Sequence, residues 1–127
     1  MVDVKDLIGI KYKEHGRSRE YGFDCYGLAI EVEKRIGIKL PDFDYLSHTD
    51  VLFNDNFKKV LQSGKVKKIN TLVEGALILF ENSSGMKNHI AVYLGDGYAV
   101  HCNINGVHLD KVKTIAKGKK DVYIWQK

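Results

Sequence analysis

The clearest periodic stretch in the chain follows the segment GFDC at 22–25, where Cys25, Leu28, Ala29, Val32 and Ile36 recur at the spacing of one buried helical face. Asp24 is a natural N-cap for that helix and Gly37 a natural stop, with Pro41 opposing continuation. The pattern therefore predicts a helix from Asp24 to Ile36. A short helix is predicted around Val4–Ile8. A third fits Thr49–Gln62, capped by Thr49 or Asp50, with Phe53, Phe57, Val60 and Leu61 apolar and Gly64 beyond its end.

The second half changes rhythm. ALILFE (76–81), HIAVYL (89–94), YAVHCN (98–103), VHLDK (107–111) and DVYIWQ (121–126) are short and rich in β-branched and aromatic residues. The turn residues NSSG, GDG and NING punctuate them. Helices first and an antiparallel meander of about five strands after them make an α+β domain.

At 127 residues, with no repeat, low-complexity run or proline-rich linker, the chain reads as one domain over residues 1–127. No stretch is long and apolar enough to span a membrane. The opening MVDVKDLIGIKYK lacks the layout of a secretory signal, so synthesis in the cytoplasm is expected, with any export by another route. Two cysteines are too few for a disulfide framework and have no partners at metal-ligand spacing, so neither a structural zinc nor a cofactor is expected.

The net charge is +4, and the lysines cluster, five between Lys58 and Lys68 and five between Lys111 and Lys120. They suit solvated faces, or attraction to a polyanion such as a bacterial cell wall. No zinc-finger spacing or aromatic RNA-binding strand is present, which argues against nucleic acid.

Cys25 is the candidate for chemistry. At a helix N-terminus the unpaired amides and the macrodipole favour a thiolate and can supply part of an oxyanion hole. Asp24 opposes the thiolate electrostatically and suits capping. Free cysteine is also often a small buried apolar residue, and the helix context leaves both readings standing.

A nucleophile needs a base, and His89 and His101 sit on successive strands. If Gly95-Asp96-Gly97 is a three-residue loop, Leu94 pairs with Tyr98, His101 faces Ala91, and both histidines share a face. A two-residue Asp96-Gly97 turn puts them on opposite faces. The glycines permit either. In the first register one imidazole could take the thiol proton while the other fixes its tautomer.

GFDCYGLAIEVEKRIGIKLPDF, followed after a gap by HIAVYLGDGYAVHCNINGVHL, resembles the NlpC family of papain-like cell-wall cysteine peptidases, which hydrolyse stem peptides of bacterial peptidoglycan. The D-C-x-G-L motif matches Asp24 to Leu28, the histidine-led strand and turn match His89 to Gly97, and a third polar group matches His101. The resemblance spans residues 9–111. It implies a papain-like α+β fold, Cys25 as nucleophile, His89 as general base and His101 as the group orienting it. It also implies oxyanion or substrate roles for the Cys25 amide, Tyr12, Asp24 and Tyr26, with cleavage near the γ-D-glutamyl link through a thioester.

Two departures bear on substrate. Tyr26 replaces the usual serine, which is thought to help bind the substrate's free amine, and Val73-Glu74-Gly75-Ala76 replaces the usual P-G-D. The bulky Tyr26, the preceding HGRSREYGFDC (15–25) and the absence of targeting or wall-binding domains look more like the branch found in phage and prophage tails, making tail proteins expected partners beside peptidoglycan. An interbacterial amidase toxin, another amidase of this fold, and a non-catalytic assembly module are the competing readings. Cys102 should point away from His101 into the core, and Tyr123 and Trp125 should complete the sheet packing. His15, His48 and His108 read as surface histidines, with His15 also a candidate to line the cleft.

Overall fold

The computed structural model describes residues 2–42, 50–82, 84–115 and 120–125. In chain order they form β1 (Arg17–Ser18), β2 (Gly22–Phe23), α1 (Cys25–Arg35), α2 (Asp50–Gln62), β3 (Val66–Ile69), β4 (Leu77–Glu81) and β5 (Lys87–Gly95). β6 (Tyr98–Asn103), β7 (Gly106–Lys111), α3 (Val112–Ile115) and β8 (Lys120–Trp125) follow. The architecture is α+β, as the pattern predicts. Thr49, His48 and Gln126 lie outside the described residues.

The first predicted helix is absent. Val4–Ile8 forms successive turns, Leu7 N–H donating to Val4 O and Ile10 N–H to Leu7 O, with Gly9 at φ 89°. So short a segment gains too few helical hydrogen bonds to offset nucleation. It serves instead to hold the sheet edge, since Gly9 N–H donates to Val107 O and Val107 N–H to Ile10 O.

The main sheet has six antiparallel strands in the order β3-β8-β4-β5-β6-β7, rather than about five. Two features depart from a plain meander. The lysine-bearing segment Val66–Ile69 is itself a strand, and β8 crosses back to pair with β4 instead of extending the far edge.

α1 and α2 cover one face of the sheet, where Leu28, Val32, Phe57, Val60, Leu77, Leu79, Ile90, Val92 and Val100 form the main core. Ile78, Phe80, Ala91, Ala99 and Val112 form a smaller cluster on the other face. Tyr123 is buried and meets Phe57 edge-on at 6.1 Å between ring centroids, and Trp125 packs at the core margin.

One polar residue sits inside α1 without compensation. Glu33 is fully buried and neither carboxyl oxygen has a partner among the described residues. Burial pushes its carboxyl up to about 8. The folded chain thus holds a proton that the unfolded chain releases above the ordinary carboxylate range. Stability from this group should fall as pH rises from about 4.5 to about 8, at up to about 1.4 kcal/mol per pH unit. Glu33→Gln should flatten that decline, checked by urea midpoints across the same range.

Candidate active site

α1 begins at Cys25 because Asp24, extended at φ −92° and ψ −176°, accepts the Gly27 N–H at 2.6 Å. Asp24 is completely buried, and Arg17 on β1 neutralises it with an ion pair of 2.8 Å. The same guanidinium donates to Gly16 O at 2.8 Å and to Asp42 at 2.9 Å, and it lies 5.8 Å from the Tyr26 ring centroid. Arg17 therefore ties the β1–β2 ribbon to the start of the helix. Sequence reasoning did not single it out.

The fit at the helix start is close. A Cβ at Gly27 would stand 2.0 Å from the Gly16 carbonyl oxygen, which is backbone and has little room to yield. Gly27→Ala should lower stability by about 3 kcal/mol, read from a denaturant midpoint.

A cleft of about 150 Å³ opens at this point, lined by Tyr12, Asp24, Cys25, Asn88, His89, Cys102 and Asn103. Larger hollows of about 480 and 550 Å³ lie elsewhere, but neither lining pairs a thiol with an imidazole. Tyr12 reaches the cleft because its segment runs beside β2, through a parallel bridge to Phe23 and the bond from Lys13 N–H to Phe23 O. Cys102 is buried in the core as predicted, its thiol 3.1 Å from Phe23 O, and it also contributes to the cleft wall.

The β5–β6 turn resolves the register in a way neither simple alternative describes. Gly95 pairs with Tyr98 across a two-residue Asp96-Gly97 turn, and a bulge between Tyr93 and Gly95 then shifts the ladder. Beyond it Ala91 faces His101, so the two histidines share a face. His89 Nε2 lies 2.9 Å from His101 Nδ1.

The chain of contacts continues. His101 Nε2 is 2.8 Å from Asp110 Oδ2, and His108 Nδ1 is 2.7 Å from the same oxygen. His108 is thus not a simple surface histidine: it pairs directly with His101 across β6–β7, with ring centroids 4.2 Å apart. Asp110 was also missed, although the two-residue Ile104-Asn105 turn brings it to this face.

These contacts fix where the protons lie. His101 and His108 hold the Asp110 carboxyl below its usual range, so it is an acceptor only. His101 Nε2 must then donate. Burial holds His101 below its ordinary value, so the ring is neutral and Nδ1 carries a lone pair. Burial, reinforced by the neighbouring imidazoles, pushes His89 down to about 3. Its Nε2–H donates to His101, leaving His89 Nδ1 as the basic nitrogen.

The thiol departs from the expected activation. Burial, with Asp24 adding to it, pushes Cys25 up to about 12, although the Ile90 and Tyr26 amides donate toward the sulfur. Desolvation outweighs the helix N-terminus. The resting pair is a neutral thiol and a neutral imidazole.

Two residues stand away from the cleft. Tyr26 is fully buried, with its hydroxyl donating to Pro41 O, so it offers no group to a substrate there. His15, at φ 56°, is not among the lining residues.

The profile of the NlpC/P60 family matches residues 9–126. The chain belongs to the NlpC/P60 family. Gamma-DL-glutamyl hydrolase of Bacillus subtilis strain 168 is 33% identical over 102 residues, which are 78% of this chain and 22% of that protein. The chain thus spans about a fifth of that relative. Among solved structures, an NlpC/P60 family protein from Bacillus cereus ATCC 10987 has a TM-score of 0.58 at 26% identity, covering 84% of this chain and 32% of that one. The NlpC/p60 domain of the peptidoglycan hydrolase SagA shares the fold at a TM-score of 0.60 and 24% identity, covering 94% of this chain and 89% of its own. No helix among the described residues is long and apolar enough to cross a membrane.

Proposed function

We propose that this NlpC/P60 domain is a cysteine endopeptidase that hydrolyses amide bonds in peptidoglycan stem peptides. The observation that carries the reading is the hydrogen-bonded series His89–His101–Asp110 ending on a cleft that also holds the Cys25 thiol. His89 Nδ1 takes the thiol proton as the sulfur attacks the amide carbon, which suits a resting pair that is neutral. The oxyanion of the tetrahedral intermediate meets the Cys25 amide and the Tyr12 hydroxyl. Collapse breaks the C–N bond, and the leaving amine takes the proton back from His89. Water, deprotonated by the same nitrogen, then hydrolyses the thioester.

Asp24 has no free charge for the substrate, being occupied by the helix cap and by Arg17. Its role is to hold the helix start. With Tyr26 buried, recognition of the substrate amine falls to other groups on the rim, of which Asn88 and Asn103 have the right chemistry. The name of the Bacillus subtilis relative supports cleavage at a γ-glutamyl bond. The volume near the thiol suits the scissile group alone, with the peptide lying across the opening.

The setting we favour is a phage or prophage tail, where the domain would open the wall locally. The described members of both lysine clusters are exposed, which suits an anionic wall. The test is digestion of purified peptidoglycan, with released fragments read by mass spectrometry and Cys25→Ala run alongside. New peptide termini that vanish in the variant are expected. Fragments identical from both proteins would sink the reading.

A further inference from the structure

His101, His108 and Asp110 form a second constellation that shares His101 and Asp110 with the hydrogen-bonded series and adds His108. One donor atom from each lies within 4.8 Å of the others, two imidazole nitrogens and a carboxylate oxygen. The strand register sets their arrangement: His101 and His108 are direct cross-strand partners, and Asp110 is two residues on from His108 on the same face of β7. β7 is the edge strand of the sheet. The His108 and Asp110 side chains are 34% and 35% exposed, so a solute has a way in, while His101 at 6% forms the floor. His108 Nε2 is buried with no partner among the described residues, while the Asp110 carboxylate holds the ring's proton on Nδ1.

Two histidines and a carboxylate, with a water in the fourth position, are a donor set suited to zinc and similar divalent cations. We propose that His101 Nε2, His108 Nδ1 and Asp110 bind a zinc-class cation that switches off the adjacent base. The inference rests on the reading of His89 as that base.

The switch follows from proton positions. A cation on His101 Nε2 takes the lone pair of that nitrogen, so the ring's single proton must sit on Nδ1. His101 Nδ1 then donates to His89 Nε2, where before it accepted. The His89 proton moves in turn to Nδ1, the nitrogen that served as base. In His108 the proton passes from Nδ1 to Nε2. Each ring keeps one proton throughout, and no bond other than N–H and metal–ligand bonds changes. With Nδ1 protonated, His89 cannot accept the thiol proton.

The test begins on Cys25→Ala protein, so that the thiol cannot hold the metal. Calorimetric titration with zinc chloride should show one site per chain, weakened about a hundredfold or more by adding His108→Ala. Nitrogen-15 NMR of the histidine rings should show the His89 proton on Nε2 without zinc and on Nδ1 with it. In the wild-type enzyme zinc should inhibit hydrolysis, reversibly with a chelator, and His108→Ala should raise the inhibitory concentration by a similar factor relative to its own metal-free rate. Binding present in the wild type but lost in Cys25→Ala would overturn the assignment, as would binding unchanged by His108→Ala. Binding at the cluster without movement of the His89 proton would overturn the switch. If the metal-free enzyme proves inactive on every wall substrate, titration and NMR still decide the metal site.

Discussion

Alanine at Cys25 and alanine at His89 should each slow hydrolysis by about four orders of magnitude or more, and the double variant should be no slower than either single one. The non-additivity is the informative part. With the thiol held up to about 12 by burial and by Asp24, almost no thiolate exists at neutral pH without a base to take its proton. Without the sulfur, His89 has only water to activate, and the acyl-enzyme cannot form. In the proposed mechanism the two groups therefore work as one unit, and losing either loses the route. What remains comes from substrate binding and from amides directed at the oxyanion, which both variants retain. Rates should be measured on a defined stem peptide with circular dichroism as a control for folding. Single-variant losses that multiply in the double variant would show independent contributions and count against a shared proton transfer. Retained function in Cys25→Ala would favour a non-catalytic assembly module.

Much of this site was legible along the chain because the signals are local. The cap at Asp24, the apolar spacing after Cys25 and the glycine beyond Ile36 describe α1 almost to the residue. Strands β4 to β7 declare themselves by composition and turns. The relation between His89 and His101 is harder, because it depends on a bulge. A two-residue turn alone would have separated them, and one unpaired residue near Leu94 reunites them. His108 and Asp110 follow from the next turn once its register is worked through, but no short-range spacing marks them as neighbours of His101.

Other features have no local signal at all. The thiol's environment is set by how deeply α1 seats against Ile90 and Phe23, which is a property of packing. The helix N-terminus favours the thiolate, but by less than desolvation opposes it. β8 returns to β4 through a choice of partner that its own composition does not encode. Tyr26, adjacent to Cys25 in sequence, turns into the core because helical geometry sends neighbouring side chains to different sides.

Asp110→Asn should lower kcat about a hundredfold with KM little changed, while Asp110→Ala should cost only about tenfold. A carboxylate accepts and never donates, so it compels His101 Nε2 to hold a proton and His89 Nδ1 to lack one. A carboxamide can donate through its NH2 group. When it does, His101 Nε2 becomes an acceptor, its proton moves to Nδ1, and His89 is left protonated on the nitrogen that should receive the thiol proton. Alanine removes the preference without imposing the wrong one, since water can reach this partly exposed position and accept from His101. In the Ser-His-Asp arrangement, where the carboxylate touches the base itself, the same exchange costs about ten-thousandfold. Here one more imidazole intervenes and Asp110 is a positioning residue, so a smaller effect follows. Asp110→Glu should recover part of the rate if its longer chain still reaches Nε2. The order of the variants separates this account from a loss of packing. If asparagine and alanine fall equally, and their losses track a drop in melting temperature, then Asp110 holds the hairpin together and does not set the direction of the hydrogen bonds.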